Sequence, residues 1–353
     1  MSQSPLITTV IPTYRRPHLV GRAIRSVLNQ AYSNLRVCVC DNASGDATRS
    51  VVEGIAREDS RVEYYCHLSN IGANANFQFG LGLIKTELFS LLSDDDLLLP
   101  DFFKIGVDTF DRYPGTLLFA GATLRADYKG RIWDVPLSRW KEGIYPPPTG
   151  VVEMVKKGHP EWTGAIFRRD VLSRVSLADC QLATGMAHDL HFELIIAGLG
   201  PIFISNQPCA IFFSHPGSPT ARGGLDHFWP GHYRLLEELE AITSLTPQQR
   251  RELRRTLKRR LMCRIIGSAL RAVSRGQTEE VLRAAQILDS HFQQPVIATA
   301  IRKMTGSNGS LEGCLLRLGA RTAVWGRQQY RRALLPHYWR GKYGDIVTAF
   351  LKV

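Results

Sequence analysis

The chain has 353 residues, 44% apolar, 22% charged and 9% aromatic, a composition that excludes disordered, collagen-like and disulfide-knot proteins. The net charge of +12 is concentrated: residues 246–353 carry 21 Lys and Arg against 6 Asp and Glu, and the remainder is slightly acidic. The seven cysteines are scattered without a CxxC pair or zinc spacing, as expected of reduced thiols. No apolar run reaches the roughly 18–20 residues of a membrane span, and Met1–Pro5 does not open a signal peptide, so a cytoplasmic location is expected.

The first hundred residues alternate between strand-like and helix-like strings, which predicts βαβ units and a mostly parallel sheet. Leu6–Ile11 reads as a strand ending at Pro12, and Leu19, Val20, Ala23, Ile24, Val27 and Leu28 follow at helical spacing. Leu35–Cys40 is a second strand, Val62–Cys66 a third and Leu88–Leu92 a fourth, cut off by Ser93-Asp94-Asp95-Asp96. Further on, Trp162–Arg168, Ile202–Ile204 and Ala210–Phe213 read as short strands. Asp189–Ala197 reads as a helix, and 216–224 has a mobile-loop composition. From about His227 the pattern is helical to the end. An α/β domain over 1–225 and a basic helical region over 226–353 are therefore expected.

In a parallel sheet a ligand lies beyond the carboxyl ends of the strands. Asp41 and Asp94–Asp96 fall at such ends, and Asp189 lies further along. Asp94 and Asp96, two apart, can turn both carboxylates toward a hard divalent cation and the phosphates it neutralises. A solvated acidic loop is the plain alternative. There is no GxGxxG, Walker lysine motif, HExxH or GxSxG, so dehydrogenase, kinase, zinc-protease and serine-hydrolase chemistry lack support.

Five strings occur in one order: Val10-Ile11-Pro12-Thr13-Tyr14; Ser26–Gln30; Asp41-Asn42-Ala43-Ser44 with Asp46; Asn70-Ile71-Gly72 with Asn74 and Asn76; and Ser93–Asp96 with Pro100. Over Leu6–His215 the chain thereby resembles glycosyltransferase family 2, inverting enzymes of the GT-A fold that use nucleotide-sugar donors. The resemblance implies that Pro12, Thr13 and Tyr14 line the nucleotide pocket and that Asp41 meets the base, uracil by expectation. Asp94 and Asp95 would face ribose or pyrophosphate, Asp96 would hold Mn²⁺ or Mg²⁺, and Asp189 would be the general base. Asp41 as an Asx turn and Asp189 as a helix N-cap remain the local alternatives. His188 stands where the family usually has Glu. His215 is a candidate for metal or diphosphate, Arg222 for a clamp over the pyrophosphate, and Trp162-Thr163-Gly164 for the acceptor pocket. The QxxRW string of processive relatives is missing, since Pro136 precedes Leu137-Ser138-Arg139-Trp140.

The implied function is sugar transfer to a glycan or lipid-linked saccharide in cell-surface polysaccharide or lipopolysaccharide biosynthesis. A nucleotidyltransferase or a nucleic-acid-binding protein acting through the basic tail are the competing classes, and neither explains the acidic residues. In 249–270, Leu253, Leu257, Leu261, Ile265 and Ile266 make an apolar stripe beside a broad arginine face. This pattern suits either packing on the catalytic domain or peripheral contact with the inner face of the plasma membrane. Trp325, Tyr330, Arg331, Arg332, Tyr338, Trp339 and Arg340 form a second cluster of rings and charge.

Overall fold

A computed structural model describes residues 5–127, 129–214, 224–305, 318–320, 322–324, 326 and 347. Four parallel strands, β1 (Ile7–Thr13), β2 (Leu35–Asp41), β3 (Val62–Cys66) and β4 (Leu88–Leu91), form one half of a mixed sheet. Its other half holds β5 (Leu97–Leu98), β6 (Leu118–Asp127), β7 (Ile132–Asp134), β8 (Gly143–Tyr145), β9 (Ala165–Arg168) and β10 (Ile202–Ser214). The spatial order is β3-β2-β1-β4-β9-β6-β10-β5, with β7 on β6 and β8 on β10. β9 is antiparallel to both β4 and β6, so the later strands join the sheet through a reversal.

The parallel strands are apolar on both faces because helices cover both. Ile7, Ile11, Val37 and Val39 pack with α1 (Pro17–Leu28), α2 (Thr48–Glu58) and α4 (Phe102–Arg112). Val10, Cys38 and Cys40 point to the opposite layer, with α3 (Ala73–Gly82), α5 (Thr149–Lys157), α6 (Leu177–Thr184) and α7 (His188–Leu199). This alternation is the two-residue period of a strand with two buried faces. Where two strands were expected at 202–204 and 210–213 there is one, β10, whose register against β6 shifts on either side of Pro208. A proline cannot donate to a ladder, and the bulge absorbs it.

The helical region comprises α8 (Gly224–Glu238), α9 (Pro247–Arg275), α10 (Thr278–Ser290) and α11 (Pro295–Lys303). Thr246 and Gln249 form a reciprocal capping box that starts α9, and Gly276, at φ +73°, ends it in the left-handed conformation. The expected apolar stripe is buried and divided between two cores. Leu253 and Leu257 enter the core of the sheet domain, while Leu261, Ile265 and Ile266 enter a core with α10 and α11. The stripe is therefore not available to a membrane. Arg251, Arg255, Lys258 and Arg259 stay exposed, which avoids the cost of burying charge, whereas Arg250, Arg254 and Arg260 donate to the carbonyls of Ile242, Leu236 and Val155.

α8 lies against the turn that leads into α7, with Gly231 directly over the Thr184 carbonyl; a Cβ at residue 231 would overlap that oxygen. Gly231→Ala should therefore lower stability by about 1–3 kcal/mol, read from denaturant unfolding. Gly82→Ala, with open space around it, should leave the midpoint close to wild type.

Candidate active site

The ends of β1, β2 and β4 meet at one edge of the sheet. Thr13 pairs in register with Asp41, and the Asn42 N–H donates to the Thr13 carbonyl. The Thr13 hydroxyl donates to Asp94 Oδ2 at 2.8 Å. Arg16, just beyond β1, bridges Asp94 Oδ1 at 2.7 Å and Asp95 Oδ2 at 3.0 Å. Pro12 and Thr13 close β1, and Tyr14 is exposed beside them with the Arg15 guanidinium 5.2 Å from its ring centre.

The three acids of the β4–β5 turn have different surroundings. Asp94 is buried, and burial raises its pKa against the opposing pull of Arg16. Asp96 is 1% exposed, and both its oxygens are taken: Oδ2 accepts from the Thr163 hydroxyl at 2.6 Å and Oδ1 from the Phe213 N–H at 3.0 Å. Burial, reinforced by the Asp95 charge, lifts its pKa well above the usual carboxylate range. Asp95 is the partly exposed member. The resemblance assigns the cation to Asp96; here each of its oxygens already accepts one protein hydrogen bond, which leaves a single lone pair on each.

Among the described residues no three His, Cys, Asp or Glu side chains converge on a point where they would cage a metal. Mg²⁺ and Mn²⁺ sites often need only one or two carboxylates, the remaining ligands being water and substrate phosphate. Asp95, an anionic oxygen donor at the crevice surface, fits that role.

Asp41 is equally enclosed. Its Oδ1 accepts from the Ser44 N–H at 2.9 Å and hydroxyl at 2.6 Å, and its Oδ2 from the Tyr64 hydroxyl at 2.6 Å. Burial, and then the bond to Asp41, raise the Tyr64 pKa. Asp41 is thus an Asx-type turn former whose Oδ1 is filled by Ser44, while Oδ2 accepts from Tyr64 and keeps one lone pair. The neighbouring Asn42 holds the β3–α3 loop: its Nδ2 donates to Asn70 Oδ1 and its Oδ1 accepts from the Ile71 N–H. Asn76 reaches the Cys40 carbonyl. These bonds give the Asn70-Ile71-Gly72 string its place beside the crevice.

Asp189 joins this edge through Trp162–Gly164. Thr163 holds Asp96, and the adjacent Trp162 ring meets His188 edge-on at 5.3 Å. His188 opens α7, with Nδ1 2.6 Å from the Gly185 carbonyl. Asp189 lies in the first helical turn and accepts from the Leu190 N–H at 2.7 Å. Burial works against its charge, but His159 and then His188 outweigh burial and hold its pKa below the ordinary value. Trp162 also packs against Phe77 and Phe192, and its Nε1 is buried with no hydrogen-bond partner among the described residues. Contacts thus connect Thr13 and the acidic β4–β5 turn, through Trp162 and Thr163, to the start of α7 that carries Asp189. His215 and Arg222, and the aromatic-basic cluster of 325–340, lie outside the described residues. The sequence reading missed Arg16, Tyr64 and the contact of Thr163 with Asp96, all of which depend on tertiary placement.

A mixed, mostly parallel sheet with an acidic turn at the carboxyl ends of its parallel strands is the architecture of GT-A glycosyltransferases. Residues 8–176, a little under half of the chain, match the model of glycosyl transferase family 2. A β-1,3-glucosyltransferase of Campylobacter jejuni, acting on GalNAc(5)-diNAcBac-PP-undecaprenol, is 35% identical over 96 residues, 27% of this chain and 31% of that protein. The alignment thus spans about a third of this relative. Among solved structures, Staphylococcus aureus TarS 1–349 with UDP superposes with a TM-score of 0.59 at 13% identity, covering 85% of this chain and 90% of that one. The mannosyltransferase PcManGT of Pyrobaculum calidifontis, solved with GDP-Man and Mn²⁺, gives 0.53 at 16% identity, covering 99% and 86%. At these identities the structural likeness establishes the fold.

Thr163→Val keeps the shape of residue 163 and removes a donor from a buried carboxylate. It should cost about 1–3 kcal/mol in denaturant unfolding, and Asp96→Asn should make the second substitution less costly in a double-mutant cycle.

Proposed function

We propose that the protein transfers a sugar, with inversion, from a nucleoside diphosphate sugar to a hydroxyl of a saccharide or lipid-linked saccharide. A UDP-sugar is the donor favoured here. The observation that supports this reading is the chain of contacts by which Trp162 and Thr163 tie the acidic β4–β5 turn to the start of α7, next to Asp189. In the proposed division of labour residues 1–225 bind donor and acceptor, and the helical region 226–353 supports the acceptor side.

Pro12, Thr13 and Tyr14 would border the nucleotide, with Asp41 and its Asx turn shaping the base end and Asp94 the ribose end. Asp95 would hold Mn²⁺ or Mg²⁺, which when bound offsets the negative charge that develops on the leaving diphosphate. Arg16, already on Asp94 and Asp95, can turn its guanidinium to the same phosphates. Asp189 would take the proton of the acceptor hydroxyl as that oxygen attacks the anomeric carbon from the side opposite the diphosphate. Its depressed pKa keeps it a carboxylate, the form a base requires. Trp162 offers an apolar surface for a sugar ring. His215 and Arg222 are proposed partners of the diphosphate.

Thermal unfolding with a panel of nucleotide sugars tests the donor half, since a ligand of the folded state raises the midpoint. A UDP-sugar should stabilise the wild type more with Mn²⁺ than without. Asp95→Ala should lose the metal-dependent part. Asp189→Asn should keep that stabilisation and lose at least about 100-fold in turnover. Equal stabilisation with and without metal would remove the cation from the scheme.

We further infer that the protein works at the inner face of the plasma membrane. Arg251, Arg255, Lys258 and Arg259 are exposed on α9 at spacings that place them on one helix face. Each basic residue near an anionic bilayer contributes about 1 kcal/mol. No described helix is long and apolar enough to cross a membrane, so attachment would be electrostatic. Phosphatidylglycerol vesicles should sediment the protein at low salt and release it at high salt. Reversal of Arg251, Arg255 and Arg259 to Glu should abolish sedimentation. Unchanged binding in that variant would dismiss this face as the contact.

A further inference from the structure

Beneath Asp189 lies a second group of titratable side chains. Glu193 follows Asp189 by four residues, so the two side chains occupy the same face of α7, one turn apart. Glu193 is 0% exposed, in the otherwise apolar run Phe192–Ile196. An unpaired carboxylate there would cost several kcal/mol. Its partner comes from the segment between α5 and Trp162: His159 Nδ1 lies 2.9 Å from Glu193 Oε2, while Oε1 has no partner among the described residues. One hydrogen bond thus fixes both the buried acid and the orientation of the ring.

The charged and titratable groups around Asp189 come from four elements: His159 and Glu161 from the segment after α5, His188 and Glu193 from α7, His232 from α8, and Arg264 from α9. His232 is spoken for. Its Nδ1–H donates to the Phe228 carbonyl at 2.8 Å, and Nε2 is 3.2 Å from Arg264 Nη1 and accepts from it. Burial and the Arg264 charge push its pKa down to about 4, so it is neutral. His159 behaves in the opposite way. Burial favours its neutral form, but Asp189 and Glu193 outweigh burial and raise its pKa to about 9. Burial raises Glu193 to about 8.

We propose that His159, oriented by Glu193, is a positioning residue whose imidazolium holds Asp189 in the carboxylate form on the acceptor side of the crevice. The proposal rests on the reading of Asp189 as the base. Its sign is fixed: with the cation removed, burial acts on Asp189 unopposed by His159, its pKa rises, and activity fails at a higher pH on the acid side.

Carboxyl ¹³C signals of the full chain labelled at aspartate Cγ report the Asp189 midpoint, with Asp189→Asn assigning the resonance. His159→Gln should raise this midpoint by about one pH unit or more. His159→Lys, which restores a cation, should bring it back toward wild type, an outcome a purely structural role would not give. If His159→Gln fails to fold, His159→Asn, whose amide can still reach Glu193 without charge, carries the same expectation. A midpoint unmoved in the neutral variant, or raised equally in His159→Lys, overturns the proposal. The base assignment is decided separately: Mn²⁺-dependent sugar release from a UDP-sugar at the wild-type rate by Asp189→Asn would end that reading and leave the titration result standing.

Discussion

The structure turns on the burial of two carboxylates at the end of β4. Removing an ionised carboxyl from water costs several kcal/mol unless hydrogen bonds replace the lost solvent, and Asp94 and Asp96 obtain them from distant parts of the chain. Thr13 and Arg16 come from the end of β1, Thr163 from the turn before β9, and the Phe213 N–H from β10. Three segments are thereby held to one turn. Gly164 allows the approach of the second, because a Cβ at residue 164 would collide with Thr123 and lie 2.9 Å from the Gly121 carbonyl. With Asp94 and Asp96 committed to the protein, Asp95 is the acid of this turn most open to the crevice.

The surroundings of Asp189 are assembled by a different route. α8 crosses the turn before α7, and Leu235, Leu239, Ile242, Leu245 and Leu253 enter the same core as Phe167, Phe192 and Leu194. The helical region is thus fastened beneath α7 as well as to its own core of α9, α10 and α11. His232 and Arg264, from α8 and α9, reach the surroundings of Asp189 through this packing. A shift of these helices would alter the electrostatics at Asp189 without touching the donor edge of the sheet.

The parallel half of the sheet was legible in the sequence because each strand is a short apolar run bounded by turn residues, and each helix between them shows one apolar face. Asp41 and Asp94–Asp96 were legible for the same reason, since each follows a recognisable strand end. The antiparallel half was harder to read. Nothing in Ala165–Arg168 indicates that it inserts between β4 and β6, and Pro208 made one long strand look like two. The β5 pairing of Leu97 and Leu98 with β10 is too short to leave a pattern. Site residues whose partners are far away in sequence gave little local signal. Thr163 is an ordinary threonine until Asp96 faces it. Glu193 did carry one, since an acid among Phe192, Leu194, Ile195 and Ile196 cannot be buried without a partner, but the sequence did not reveal that the partner is His159.

The two sides of the crevice place carboxylates under opposite influences. At the donor edge, burial raises Asp94 and Asp96 against whatever their hydrogen-bond partners supply, so the turn favours any further positive charge brought to it. Around Asp189 the histidines prevail over burial, and the carboxylate remains charged in a largely enclosed position. Environment rather than residue type separates the carboxylates whose pKa is raised from the one whose pKa is lowered. Both environments are bounded by the same short segment, since His159, Glu161, Trp162 and Thr163 lie within five residues of one another. A displacement of this segment that released Asp96 from Thr163 would also move His159 relative to Asp189. One loop therefore supports both the acidic β4–β5 turn and the surroundings of Asp189.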